Sequence, residues 1–165
     1  MSFFSTTLRR LFGSSASREL LPLGSVAPDF EVEDHLGNRV RLADLRGGRV
    51  VLWFFPRANT RACTAQGCAF RDRIREYQSQ GTRVIGVSFD SVADNRRFAE
   101  AYGFPFTLLC DVARHMAVRY RAAASTKDDY PRRVTYVIGP DGLIEQALET
   151  KDPAAQAEAL LETRR

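Results

Sequence analysis

A continuous apolar run, VVLWFF at 50–55, and a second buried-strand pattern, RVIGVSF at 83–89, flank a long helical pattern, and this arrangement sets what the chain can fold into. A strand with no polar face is one buried on both sides of a sheet. Joined through a helix, two such strands form a parallel βαβ unit with a fixed hand. The pattern predicts that helix over residues 60–80, ending before Gly81.

The flanking elements continue the alternation. Strands at 30–33 and 39–42 enclose HLGN, with Gly37 and Asn38 in a hairpin turn. Ser91 is placed to cap a helix, with Asp94 in the capping-box position, and that helix runs to Tyr102 before Gly103. A short strand at 106–109 and a short helix at 113–121 follow. Strands at 134–138 and 143–148, joined through Pro140, Asp141 and Gly142, read as a second hairpin. Asp152 and Pro153 open a last helix through Leu161, with proline at its favoured first position. Alternating βαβ units closed by an antiparallel hairpin and a helix describe an α/β fold, a three-layer α/β/α sandwich.

With 165 residues, 44% of them hydrophobic, the chain can build one well-formed core but not two domains of usual size. Residues 22–165 are expected to be that domain and residues 1–21 an N-terminal tail. The tail is rich in Ser, Thr, Arg and Phe and has no acid before Glu19. That composition suits an organellar targeting segment over residues 1–20. A bacterial cytoplasmic protein with a short tail is the reading taken here. No stretch reaches the roughly 18 apolar residues of a membrane span. The net charge of +4 does not make a nucleic-acid protein, because acids interrupt the arginines, as in RDRIRE at 71–76.

Cys63 and Cys68 carry the chemistry. They lie five residues apart at the expected start of the 60–80 helix, directly after the 50–55 strand. Unpaired N–H groups and the positive end of the helix dipole stabilise a thiolate there. Cys68 is a candidate partner for it. In an unbroken helix residues five apart have Cα atoms about 8 to 9 Å from one another. A disulfide needs about 4.4 to 6.8 Å. A bond between them therefore requires the first turns to unwind. Gly67, a helix-weakening residue beside Cys68, is expected to ease that unwinding, and alanine there to stabilise the helix. The odd third cysteine, Cys110, reads as core filler. His35 and His115 are far apart in the pattern and form no metal constellation with the cysteines.

The run PRANTRAC at 56–63 fits the P-x-x-x-T-x-x-C active-site pattern of peroxiredoxins, and the spacing to Cys68 fits the group called bacterioferritin comigratory protein or peroxiredoxin Q. GVSFDS at 86–91, RFAEAYGFPFTLLCD at 97–111 and RRVTYVIGPDGLI at 132–144 are similar to the same family in the same order, so the resemblance spans about residues 23–148. It implies a thioredoxin-like fold with a mixed central sheet and an added N-terminal hairpin. It also implies reduction of hydrogen peroxide and organic hydroperoxides through a cysteine sulfenic acid. Cys63 would be the attacking thiolate and Cys68 the resolving thiol, giving an intramolecular disulfide that thioredoxin or a similar dithiol protein reduces.

The same resemblance implies roles for three further residues. Thr60 would be both helix N-cap and a hydroxyl bonded to thiol and peroxide. Pro56 would fix the loop and shield the thiolate from water. Arg133 would support the thiolate and the charge developing on the departing oxygen. Arg132 is the competitor for that last role, and strand alternation sends the two side chains to opposite faces. The register favours Arg133. No cofactor, metal, nucleic acid or membrane is implied, and the chain is expected to be a monomer or weak dimer. Two departures stand out: Arg61 and Ala62 replace a common Pro-Gly, and Gln66 replaces a usual glutamate that holds the arginine by charge. Two other classes share the fold or the switch. A protein disulfide oxidoreductase would carry C-x-x-C, where this chain has C-x4-C. A non-catalytic redox sensor would oxidise once without turnover.

Overall fold

A computed structural model describes residues 19–163. The targeting reading of residues 1–20 falls almost wholly outside them.

The strands are β1 (Glu31–Asp34), β2 (Arg39–Arg41), β3 (Arg49–Phe54), β4 (Thr82–Ser88), β5 (Thr107–Cys110), β6 (Val134–Ile138) and β7 (Ile144–Glu149). The helices are α1 (Arg61–Asp72), α2 (Ile74–Ser79), α3 (Val92–Tyr102), α4 (His115–Arg119) and α5 (Gln156–Glu162). All seven strands join one sheet in the order β2-β1-β5-β4-β3-β6-β7. β3 runs parallel to β4 and β4 to β5, whereas β6 is antiparallel to β3 and β7 to β6. The β1–β2 hairpin adds antiparallel to β5, so the mixed sheet with an added N-terminal hairpin is what forms.

Alternation along β3 builds a core on each face. Val51, Trp53 and Phe55 point toward Phe70 of α1, Phe98 of α3 and Leu160 of α5. Val50, Leu52 and Phe54 point the other way, toward Met116 and Ala117 of α4 and toward Tyr120 and Tyr136. Leu20 and Leu21 also pack on this second core, and Leu21 N donates to Tyr136 Oη at 3.2 Å.

Local signals hold where the interaction is local. Ser91 Oγ accepts from Asp94 N at 3.1 Å, and Gly103 ends α3 in the left-handed conformation at φ 60°, as a helix terminator does. Most boundaries shift by a residue or two from expectation, and two differ in kind. The long helix breaks at Arg73 into α1 and α2 although neither glycine nor proline stands there. Arg73 pairs with both Glu76 and Glu158 of α5 at the break. The last helix begins at Gln156, later than expected, because Asp152 Oδ1 accepts from Ala155 N and holds residues 153–155 in a turn. Pro153 thus sits in that turn and not at the first helical position.

Gly67 is the clearest correction. A Cβ there would run into Cζ of the Phe104 ring and lie 3.0 Å from Cε1 and Cε2. That ring is itself held by Phe98 and Phe106, at centroid distances of 4.9 and 5.0 Å, so it has little room to retreat. Glycine is needed for close packing, and its weak helix propensity is incidental. Gly67→Ala is therefore expected to destabilise the fold, since overpacking costs about 1 to 3 kcal/mol and outweighs the roughly 1 kcal/mol of helix propensity that alanine adds. A urea midpoint at or above that of the native sequence would contradict this.

Candidate active site

The 56–60 loop carries the chain from β3 into α1, and its backbone is tied down on several sides. Ala58 N donates to Asp90 Oδ2 at 2.8 Å, which couples the loop to the end of β4. Asn59 takes a left-handed φ of 61° and its Oδ1 accepts from Tyr102 Oη at 3.1 Å. Thr60 stands at the N-cap position, but its hydroxyl donates to Arg57 O at 2.9 Å and makes no cap bond. The expectation that this hydroxyl caps the helix is thus corrected. Thr60 braces the loop, and among the described residues the first N–H groups of α1 have no side-chain acceptor.

Cys63 lies in that first turn and is 0% exposed. Arg133, immediately before β6, reaches it across the sheet, with Nη2 donating to Cys63 Sγ at 3.2 Å and Nη1 donating to Gln66 Oε1 at 3.3 Å. Arg132 turns away, to Arg121 O at 3.2 Å and to the Glu149 carboxylate. Among the described residues no ion pair engages Arg133, and its guanidinium is held by the Cys63 sulfur and the Gln66 amide oxygen.

Cys68 is half-buried on the same helix, and both thiols are free. Because α1 is continuous from Arg61 to Asp72, the pair keeps the helical separation that forbids a bond, and unwinding is required before one forms. Pro56 is half-buried and lines, with Arg57, Ala58 and Asn59, a cleft of about 730 Å³ that Asp90, Arg97 and Arg114 close on the far side. Cys63 is not among the cleft's lining residues.

Cys110 is remote from this geometry. Its sulfur accepts from Asn95 Nδ2 at 3.4 Å at the end of β5, and burial pushes the thiol up from its ordinary range, so it stays protonated at neutral pH. His35 is buried and its Nδ1 accepts from Leu108 N at 3.1 Å, extending the pairing of β1 with β5. His115 is exposed at the start of α4. Among the described residues no group of three or more His, Cys, Asp or Glu side chains is disposed to hold a metal.

Sequence reasoning missed a buried polar network behind the arginine. Gln66 Nε2 donates to Gln156 Oε1 at 2.6 Å, and the same oxygen accepts from Thr135 Oγ1 at 3.0 Å. Gln156 Nε2 donates to Thr150 Oγ1 at 2.9 Å. The available signal was Gln156 itself, a polar residue on the face of α5 that also carries Ala157, Leu160 and Leu161.

The sheet, the helix-start cysteine and the guanidinium on its sulfur define a thioredoxin-fold protein built around the buried Cys63 thiol. The profile of the AhpC/TSA family matches residues 23–147. Peroxiredoxin Q, chloroplastic, of Triticum aestivum is 38% identical over 122 residues, covering 74% of this chain and 56% of that protein. The Arabidopsis thaliana protein of the same name is 37% identical over the same shares. Among solved structures, peroxidoxin BcpB from Mycobacterium tuberculosis superposes with a TM-score of 0.79 at 31% identity, covering 86% of this chain and 94% of that one. A structure of Xanthomonas campestris peroxiredoxin Q gives a TM-score of 0.76 at 25% identity, covering 81% of this chain and 88% of that one. The chain belongs to the AhpC/TSA family, and its resemblance to the peroxiredoxin Q group holds. It spans little more than half the length of the curated relatives it matches.

Proposed function

We propose that the chain is a thiol-dependent peroxidase of the peroxiredoxin Q type, acting on hydrogen peroxide and organic hydroperoxides. The observation that carries this reading is Arg133 Nη2 at 3.2 Å from the sulfur of a fully buried cysteine in the first turn of a helix. In the first step the Cys63 thiolate attacks the nearer peroxide oxygen, the O–O bond breaks, and the departing oxygen takes a proton to leave as water or an alcohol. Charge develops on that oxygen, and the Arg133 guanidinium stabilises it. Cys63 becomes the sulfenic acid. Thr60 braces the loop that leads into α1, Pro56 stiffens its start, and the positive end of the α1 dipole supports the thiolate in the first turn.

In the second step the start of α1 unwinds, Cys68 attacks the Cys63 sulfur, and the sulfenic hydroxyl leaves as water. A dithiol reductant such as thioredoxin then attacks the disulfide and returns both thiols. No cofactor or metal takes part, and the reading takes the chain as a monomer or weak dimer. Steady NADPH consumption with peroxide, thioredoxin and thioredoxin reductase tests it. A single stoichiometric burst would support a redox sensor, and reduction of disulfide-bonded proteins without peroxide turnover would support an oxidoreductase. For the compartment, the chloroplastic names of the plant relatives support the organellar alternative. Import of a fluorescent protein fused to residues 1–20 into isolated organelles tests that, and a fusion left outside them returns the cytoplasmic reading.

A further inference from the structure

We infer that Gln156 on α5 is a positioning residue for Arg133, acting through Gln66. The inference rests on the peroxidase reading and concerns how its arginine is held. An amide is two-ended, and a guanidinium only donates. Arg133 is held by Gln66 only while Gln66 turns its oxygen toward Nη1, where it accepts at 3.3 Å. Turned over, Gln66 would set its NH2 against the guanidinium and leave a donor with nothing to bind.

Gln66 is fully buried, so its own Nε2 must find an acceptor inside the protein. Gln156 Oε1 is that acceptor, at 2.6 Å. The other end of Gln156 is satisfied by Thr150 Oγ1, and Thr150 and Thr135 lie 3.3 Å apart and close the ring back to Gln156 Oε1. Between the two hydroxyls either can be the donor, so that contact gives the chain no direction. Arg133, the obligate donor at its head, does. Each link along this path then donates one way, from Arg133 to Gln66 to Gln156 to Thr150. The backbone repeats the connection, since Thr150 N donates to Arg133 O at 2.9 Å. The chain holds the guanidinium without a carboxylate, which leaves its charge for the sulfur and for the oxygen departing from it.

The test is a double-mutant cycle on the second-order rate constant for oxidation of Cys63 by hydrogen peroxide, read by mass spectrometry of quenched samples. Gln156→Met keeps the volume and removes the acceptor, and the expected loss is about tenfold, as for one buried donor left unsatisfied. Gln66→Met is expected to lose as much. Because Gln156 acts through Gln66, the double variant is expected to match Gln66→Met. Gln156→Glu keeps an acceptor facing Gln66 and is expected to restore the rate to within about threefold of the native sequence. A residue that only stabilised the fold would not show this rescue. If Gln156→Met loses its cooperative thermal transition, Gln156→Asn, which withdraws the amide by one methylene, replaces it in the cycle.

Losses that multiply in the double variant, or a Gln156→Met rate within twofold of native, overturn the positioning role. Failure of the native chain to react at Cys63 is a different result, and it overturns the peroxidase reading itself.

Discussion

Cys63→Ser is expected to reduce peroxide turnover to the rate seen without protein, while Cys110→Ser leaves it nearly intact. A serine hydroxyl at this position is far too weakly acidic to serve as the nucleophile, and no other described thiol has the same surroundings. Only Cys63 combines the first turn of a helix, complete burial and a guanidinium on its sulfur. Cys110 accepts from an asparagine amide and is held protonated by burial, which makes it inert toward peroxide. The comparison is made by coupled NADPH consumption at one protein concentration. Full turnover by Cys63→Ser would contradict the assignment, and loss in Cys110→Ser alone would move it.

Arg133→Ala is expected to slow the reaction with peroxide by roughly 10²- to 10³-fold, the usual cost of removing one preorganised donor from developing negative charge. Both attachments of the guanidinium disappear together, and Gln66 Oε1 loses its donor. Arg132→Ala removes a pairing with Glu149 and Arg121 O on the other face and is expected to change the rate less than threefold. Stopped-flow measurement of the peroxide step separates the two. Equal slowing in both variants would mean that the loss comes from disturbing the start of β6 and not from chemistry at the sulfur.

The strands and the caps of α3 were legible because their causes lie within a few residues: apolar runs, a serine three positions before an aspartate, a glycine after the last turn. Alternation predicts that Arg133 and Arg132 point to opposite faces, and their side chains do diverge, although both lie just before β6. What was misread depends on distant contacts. Gly67 looks like a helix breaker until Phe104 is seen lying against it. The break at Arg73 has no local signal and coincides with a pairing to Glu158 from the far end of the chain. Thr60 has the right type and position for a cap, but its hydroxyl finds the nearer carbonyl of Arg57. In the sequence Gln66 reads as a missing charge, whereas the amide chain that replaces it runs through Gln156, Thr135 and Thr150, none of which belongs to any short motif.

In the proposed peroxidase cycle, peroxide oxidises Cys63 and Cys68 resolves it. The most direct measurement adds one equivalent of hydrogen peroxide to the fully reduced chain, alkylates the remaining thiols, and maps the peptides by mass spectrometry. The expected product has lost two hydrogens as a Cys63 to Cys68 disulfide, with Cys110 alkylated. Oxidation confined to Cys110, or all three thiols still alkylated, would contradict the account.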